Sequence, residues 1–249
     1  NGTVNFNGKA TNGLNTSGGT GLQFSNNNSL TVAKGTLIFN GTSEAGIGNY
    51  IVNTLNTSAT QNATLTVCGT STSGIGQSFS GGTTNVVVES GSATSFLGKT
   101  GSSVGISFSG STLNLNANGS TNGSLTLSGT STSYRGTSID GNNFITSNAG
   151  NITFQGISTN SVGGAQSGTL NVSVATGYTL NISGTTSSST GFNFDNSTIN
   201  MIGTANMAGA VIIAGSTTSW KGINFGGTNT FNAYVGSLDL KGTSSSSVG

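Results

Sequence analysis

The sequence predicts an all-β chain wound as a right-handed parallel β-helix, a β-solenoid of about nine coils of 27–33 residues with three short strands in each. Three observations carry that prediction. The composition is hostile to helices, one repeat keeps its phase along the chain, and apolar residues recur at period two inside each repeat.

Of the 249 residues, 42 are Gly, 32% are hydrophobic and 4% are charged, with no Pro and no His. Most of the remainder is Ser, Thr and Asn. Globular domains ordinarily carry about 25% charged residues, and long helices are built from Glu, Lys, Leu and Ala, so helical folds are excluded. A net charge of +1 provides no basic surface for nucleic acid or an anionic membrane. No apolar run approaches the roughly 20 residues of a membrane helix. Nucleic acid and membrane insertion are therefore not expected.

The repeat consists of two alternating apolar residues, an anchor Gly, a run of hydroxyl residues, a second Gly and another apolar residue. Anchor glycines fall at Gly8, Gly41, Gly69, Gly98, Gly129, Gly156, Gly184, Gly215 and Gly242. The second Gly follows seven residues later, from Gly48 to Gly249, except in the first copy, where Gly21 takes its place after an insertion of six residues. A disordered tract has no reason to hold such a phase.

Each copy then resolves into strands. Two residues before the anchor Gly stand Phe6, Phe39, Val67, Phe96, Leu127, Phe154, Ile182, Ile213 and Leu240; four before it stands another apolar column, interrupted by Thr94. The column between them is mostly polar, which describes a half-buried strand. Three residues after the second Gly comes a further column, Phe24, Ile51, Phe79, Phe108, Ile139, Phe194 and Phe225, broken by Gln166. A third, looser strand contains pairs such as Leu113 with Leu115 and Leu170 with Val172. No such strand buries its apolar face alone, so coils must stack, about 4.8 Å apart. Stacking also explains the composition: Gly and Asn suit corners with positive φ, Pro would remove ladder hydrogen bonds, and like charges in register would repel. Residues 1–249 are expected to form a single β-solenoid repeat array, an uncapped segment of a longer chain open to end-to-end self-association.

The run from Gly129 to Gly136 (GTSTSYRG), its relatives GTSTSGIG from Gly69 and GTSSSSVG from Gly242, and the strands LTLSG and GISFSG resemble the passengers of large bacterial secreted adhesins. These are the filamentous-haemagglutinin-like exoproteins of two-partner secretion, contact-dependent inhibition stalks and autotransporter adhesins. The resemblance implies a right-handed β-helix exported across a Gram-negative envelope and displayed at the cell surface as a fibre. Its implied role is a rigid spacer that adheres to host cells, other bacteria or surfaces through glycans or receptors.

Chemistry-bearing residues are few. Without His there is no imidazole base, no Ser–His triad and no His metal ligand. Cys68, the one thiol, reads as an incidental Ser replacement in an outward column. No catalytic, cofactor-binding or metal-binding residue is predicted, and the chain is read as a non-enzyme. Two alternatives deserve statement. Asp140 and Asp195 share a coil phase two coils apart, a separation of roughly 9.6 Å that would suit an inverting glycan hydrolase, although no base is expected beside either. Thr70 with Thr72, Thr130 with Thr132 and Thr185 with Ser187 form hydroxyl rows of the kind that order ice, but Glu44, Lys99, Gly101 and Ile157 interrupt them.

A paired substitution completes the inventory. The sixth residue after the anchor Gly is usually apolar (Ile47, Ile75, Val104, Val162, Val248) but is Arg135 or Lys221 where the fifth is Tyr134 or Trp220. One reading is a register swap in which the ring fills the core and the base reaches out. The other is a sugar platform, which makes Tyr134, Arg135, Trp220 and Lys221 the candidate glycan contacts.

Overall fold

A computed structural model of the chain describes residues 2–10, 19–116 and 123–246. The first copy's insertion falls largely on residues 11–18, and Val248 and Gly249 also lie outside the described residues. The structure is a parallel β-solenoid. First-face strands run from Thr3–Ala10 to Ser237–Ser244 and pair in eight consecutive parallel steps that set all nine anchor glycines opposite one another. Nine copies thus give nine rungs separated by about eight turns.

The other two predicted strands form the remaining faces. On the second face Phe24, Ile51, Phe79, Phe108, Ile139, Gln166, Phe194 and Phe225 stack in order. On the third, Leu55, Thr84, Leu113, Ile145, Val172 and Met201 do the same. Inward side chains from all three faces close a narrow core in which Leu65, Phe79, Phe96, Phe108, Leu127 and Phe154 are buried. Edge-on ring contacts, Phe79 with Phe96 at 5.2 Å and Phe108 with Phe154 at 5.7 Å, join the second face to the first.

Gly21 occupies the place assigned to it. Its carbonyl would lie 2.2 Å from a Cβ on Gly8, just as the Gly136 carbonyl would lie 2.1 Å from a Cβ on Gly129. That contact corrects the expected role of the motif glycines. Neither the anchor nor the second Gly column takes positive φ among the described residues; both are Gly because two backbones meet where a methyl group would collide with a carbonyl. Positive φ recurs instead in a separate column, five residues after the second Gly, at Asn26, Asn53, Gly81, Gly110, Gly141, Gly168, Asn196 and Gly227, and again in turns ahead of first-face strands, as at Gly35, Gly91, Gly150 and Gly236. In the column the chain bends from the second face to the third, and only Gly and Asn occur. In three copies an Asn two residues further on fastens the bend by donating to the carbonyl ahead of it: Asn28 to Ser25 O at 2.6 Å, Asn143 to Asp140 O at 2.8 Å, and Asn229 to Gly226 O at 2.9 Å.

Polar side chains tie coil to coil. Two residues after the anchor Gly, Ser43, Ser71, Thr100, Ser131, Ser158, Thr186 and Thr217 are all buried. Ser131 Oγ donates to Ser103 O of the preceding coil at 2.7 Å and accepts from its own coil's Tyr134 N at 3.1 Å; Ser71 repeats the pattern with Gly46 O and Gly74 N. Outside, Asn side chains run in ladders, as in Asn114 to Asn85 to Asn56, each bond 2.9 Å. An Asn inside such a ladder, as Asn85, thus bonds to its counterparts above and below.

The two glycine roles predict different tolerances. Gly129→Ala is expected to destabilise the chain by about 3 kcal/mol, because the Gly136 backbone must move. Gly81 faces open space at φ 65°, so Gly81→Asn should leave the urea midpoint in place while Gly81→Val lowers stability by about 1–2 kcal/mol.

Candidate functional surface

The turn that follows the buried hydroxyl positions the paired aromatics and bases. Ile47, Ile75, Val104, Arg135, Val162, Thr190 and Lys221 are half-buried, so the sixth position was never a core position. Its carbonyls hold the coil step instead: Arg135 O accepts from Gly105 N at 3.0 Å and Lys221 O from Gly191 N at 2.9 Å. The register-swap reading is therefore overturned. Tyr134 is 41% exposed and Trp220 55% exposed, and neither ring fills the core.

Each base lies against its own ring. Arg135 Cζ is 5.3 Å from the Tyr134 ring centre, and Lys221 Nζ is 6.0 Å from that of Trp220. Such exposed cation–π contacts contribute about 0.5–1 kcal/mol. Each base also bonds to the residue three positions on: Arg135 Nη1 donates to Ser138 Oγ at 3.0 Å, and Lys221 Nζ donates to Asn224 Oδ1 at 2.7 Å. The same local device thus occurs twice, in equivalent turns three coils apart.

Asp140 does not stand apart from basic groups, as its sequence context had suggested. Arg135 Nη1 lies 4.0 Å from its Oδ1. Its oxygens are engaged by Ser138 Oγ, which donates to Oδ2 at 2.6 Å, and by Ser167 Oγ, which donates to Oδ1 at 2.7 Å. Ser167 pairs with Asp195 in the sheet and occupies the coil between the two acids. Asp195 itself is exposed and accepts from Asn196 Nδ2 at 3.0 Å. The proposed hydrolytic pair thus has a serine in its middle rather than an open water site. Both acids precede the positive-φ corner residue, Gly141 or Asn196.

The hydroxyl row beside the anchor Gly is aligned but broken, as expected. Lys9, Thr42, Thr70, Lys99, Thr130, Ile157, Thr185, Ser216 and Thr243 stack in that order. Cys68 faces outward between Asn40 and Leu97 in the neighbouring column and is half-buried. Burial pushes its thiol pKa up. Two shallow depressions lie on this face, one of about 340 Å³ beside Cys68, Leu97 and Lys99, the other of about 330 Å³ lined by Ile157, Thr159, Thr185, Ser187 and Thr218. Among the described residues no three His, Cys, Asp or Glu side chains gather as a metal-binding group, and no helix is long and apolar enough to cross a membrane.

Sequence reasoning missed the buried hydroxyl column. Ser or Thr two residues after every anchor Gly but the first, where Ala10 stands, was the available signal, masked by abundant Ser and Thr at the exposed positions on either side. No protein-family model, curated protein or solved structure matches the chain.

Two outcomes test this surface. Asp140→Ala should lower stability by about 1 kcal/mol by removing the acceptor of the buried Ser138 hydroxyl, whereas Asp195→Ala should leave the melting temperature unchanged. The raised thiol pKa means less thiolate at a given pH. Iodoacetamide at pH 8 should therefore alkylate Cys68 more slowly in the folded chain than in urea, the native rate rising as pH climbs through the folded pKa.

Proposed function

We propose that the chain is a non-enzymatic stalk segment of a large secreted bacterial surface adhesin, a rigid spacer that holds a binding or effector region away from the cell. The observation that carries this reading is the unbroken stack: eight first-face pairings in succession, without a change of register at the anchor glycines. Each coil rests on the coils before and after it, so length grows with repeat number while cross-section stays constant. The GTSTSYRG-type turns and their flanking strands support a filamentous-haemagglutinin-like or autotransporter passenger, displayed outside the outer membrane. The serine between Asp140 and Asp195 and the interrupted hydroxyl row favour this reading over glycan hydrolysis and ice binding.

Small-angle scattering should report a rod whose nine rungs rise about 38 Å at about 4.8 Å per turn. An antibody raised against the segment should label intact cells of the source bacterium and lose its target to external protease. Labelling only after permeabilisation would overturn display at the surface.

A further inference from the structure

We propose that Tyr134 and Trp220 are the two ends of one binding strip for a neutral oligosaccharide laid parallel to the solenoid axis. The fifth position after the anchor Gly is occupied by Gly46, Gly74, Ser103, Tyr134, Ser161, Ser189 and Trp220. The rings are thus the only bulky side chains in a column of Gly and Ser. They project from equivalent turns: the Tyr134 carbonyl accepts from Ser158 Oγ at 2.5 Å and the Trp220 carbonyl from Ser244 Oγ at 2.7 Å. Three coil steps separate them, roughly 14 Å along the axis. Only Ser161 and Ser189 stand between, leaving the interval low.

The surroundings select the ligand's chemistry. Each ring is braced on its own base, and each base is engaged in turn, Arg135 by Ser138 beside Asp140 and Lys221 by Asn224. Both cations keep donors free, Lys221 bonding only to a neutral amide, so the choice of a neutral sugar rests on the interval between the rings. Along the interval the hydroxyl protons are committed to backbone carbonyls of the preceding coil: Thr218 Oγ1 donates to Ser187 O at 2.7 Å, and Ser187 Oγ and Ser188 Oγ donate to Thr159 O at 2.8 and 2.9 Å. A hydroxyl has one proton and two lone pairs, so these oxygens are left as acceptors. The depression of about 330 Å³ lined by Thr159, Ser187 and Thr218 lies in the same axial interval. A row of acceptors between two exposed aromatic faces calls for a ligand with many hydroxyl donors and flat C–H faces. A neutral oligosaccharide has both. A protein partner would need contiguous apolar area, and here the rings are isolated among serines and glycines.

Trp220 is the only Trp in the chain, so its fluorescence reports directly on the strip. Titrations with cellohexaose, chitohexaose and maltohexaose, with a hyaluronan hexasaccharide as the acidic comparison, should give a saturable change in emission with at least one neutral sugar. Tyr134→Ala should then raise the midpoint about tenfold although it lies three coils from the fluorophore, and Ser189→Lys, which fills the interval while keeping both rings, should do the same. Melting temperatures should stay at the parent value in both variants. The proposal is overturned if no neutral hexasaccharide changes the emission, if hyaluronan binds more tightly than every neutral sugar, or if Tyr134→Ala leaves the midpoint unchanged, since the two rings would then not share one ligand.

Discussion

The structure depends on the contact between the two glycine columns. In each coil the anchor Gly turns its missing side chain toward the carbonyl of the second Gly, so closely that an added Cβ would lie 1.8–2.2 Å from that oxygen in every case from Gly41 to Gly215. Coil-to-coil hydrogen bonding holds the same glycines: Gly48 N donates to Ile75 O, Gly76 N to Val104 O, and Gly105 N to Arg135 O. The chain can therefore round this corner only where backbone meets backbone. The seven-residue interval between the glycines follows as the length of the turn that joins them.

Once that corner is pinned, other residues inherit their environment from their distance to it. Two residues after the anchor a side chain points into the turn, and in Ser43, Ser71, Thr100, Ser131 and Ser158 the small hydroxyl there both donates and accepts. An apolar side chain would leave a buried carbonyl and a buried N–H without partners, a loss of about 1–3 kcal/mol per site. Five residues after the second Gly the chain must bend with positive φ, which confines the position to Gly and Asn. The low charge of the chain, 4% of its residues, follows from the same geometry. A residue's nearest neighbours are its own equivalents in adjacent coils, and Asn can bond to Asn where Lys could only repel Lys.

Most of the architecture was legible because the repeat displays each position many times. Apolar columns, the anchor register and even the displaced Gly21 follow from alignment of the copies. The physical role of a glycine is less legible, since close approach and positive φ leave the same letter. Aligning the copies one column further would have separated them, because Asn joins Gly at the bend and never at the anchor. Burial of the sixth position was misjudged for a related reason: Ile and Val there look like core but cover the outside of a turn, half-buried beside the glycine corner. The Asp140 cluster was legible only in part: the aligned copies place Ser167 between the two acids, whereas Arg135 reaches Asp140 through a bend that no column displays.

The same constraint explains why a recognition strip can exist on so uniform a surface. Core positions tolerate little variation, since each must match the coil above and below, and the bend and anchor positions tolerate almost none. The fifth residue of the turn is different. Its carbonyl serves the fold by accepting from the buried hydroxyl of the next coil, as Tyr134 O accepts from Ser158, while its side chain leaves the stack altogether. Gly, Ser, Tyr and Trp all meet that backbone requirement, so the side chain is free to vary without moving the scaffold. A solenoid holds such variable positions at fixed intervals of about 4.8 Å on a rigid line, so the spacing between two substituted turns is set by the number of coils between them. Tyr134 and Trp220, three coils apart and each supported by its own base, have a separation that the fold itself measures out.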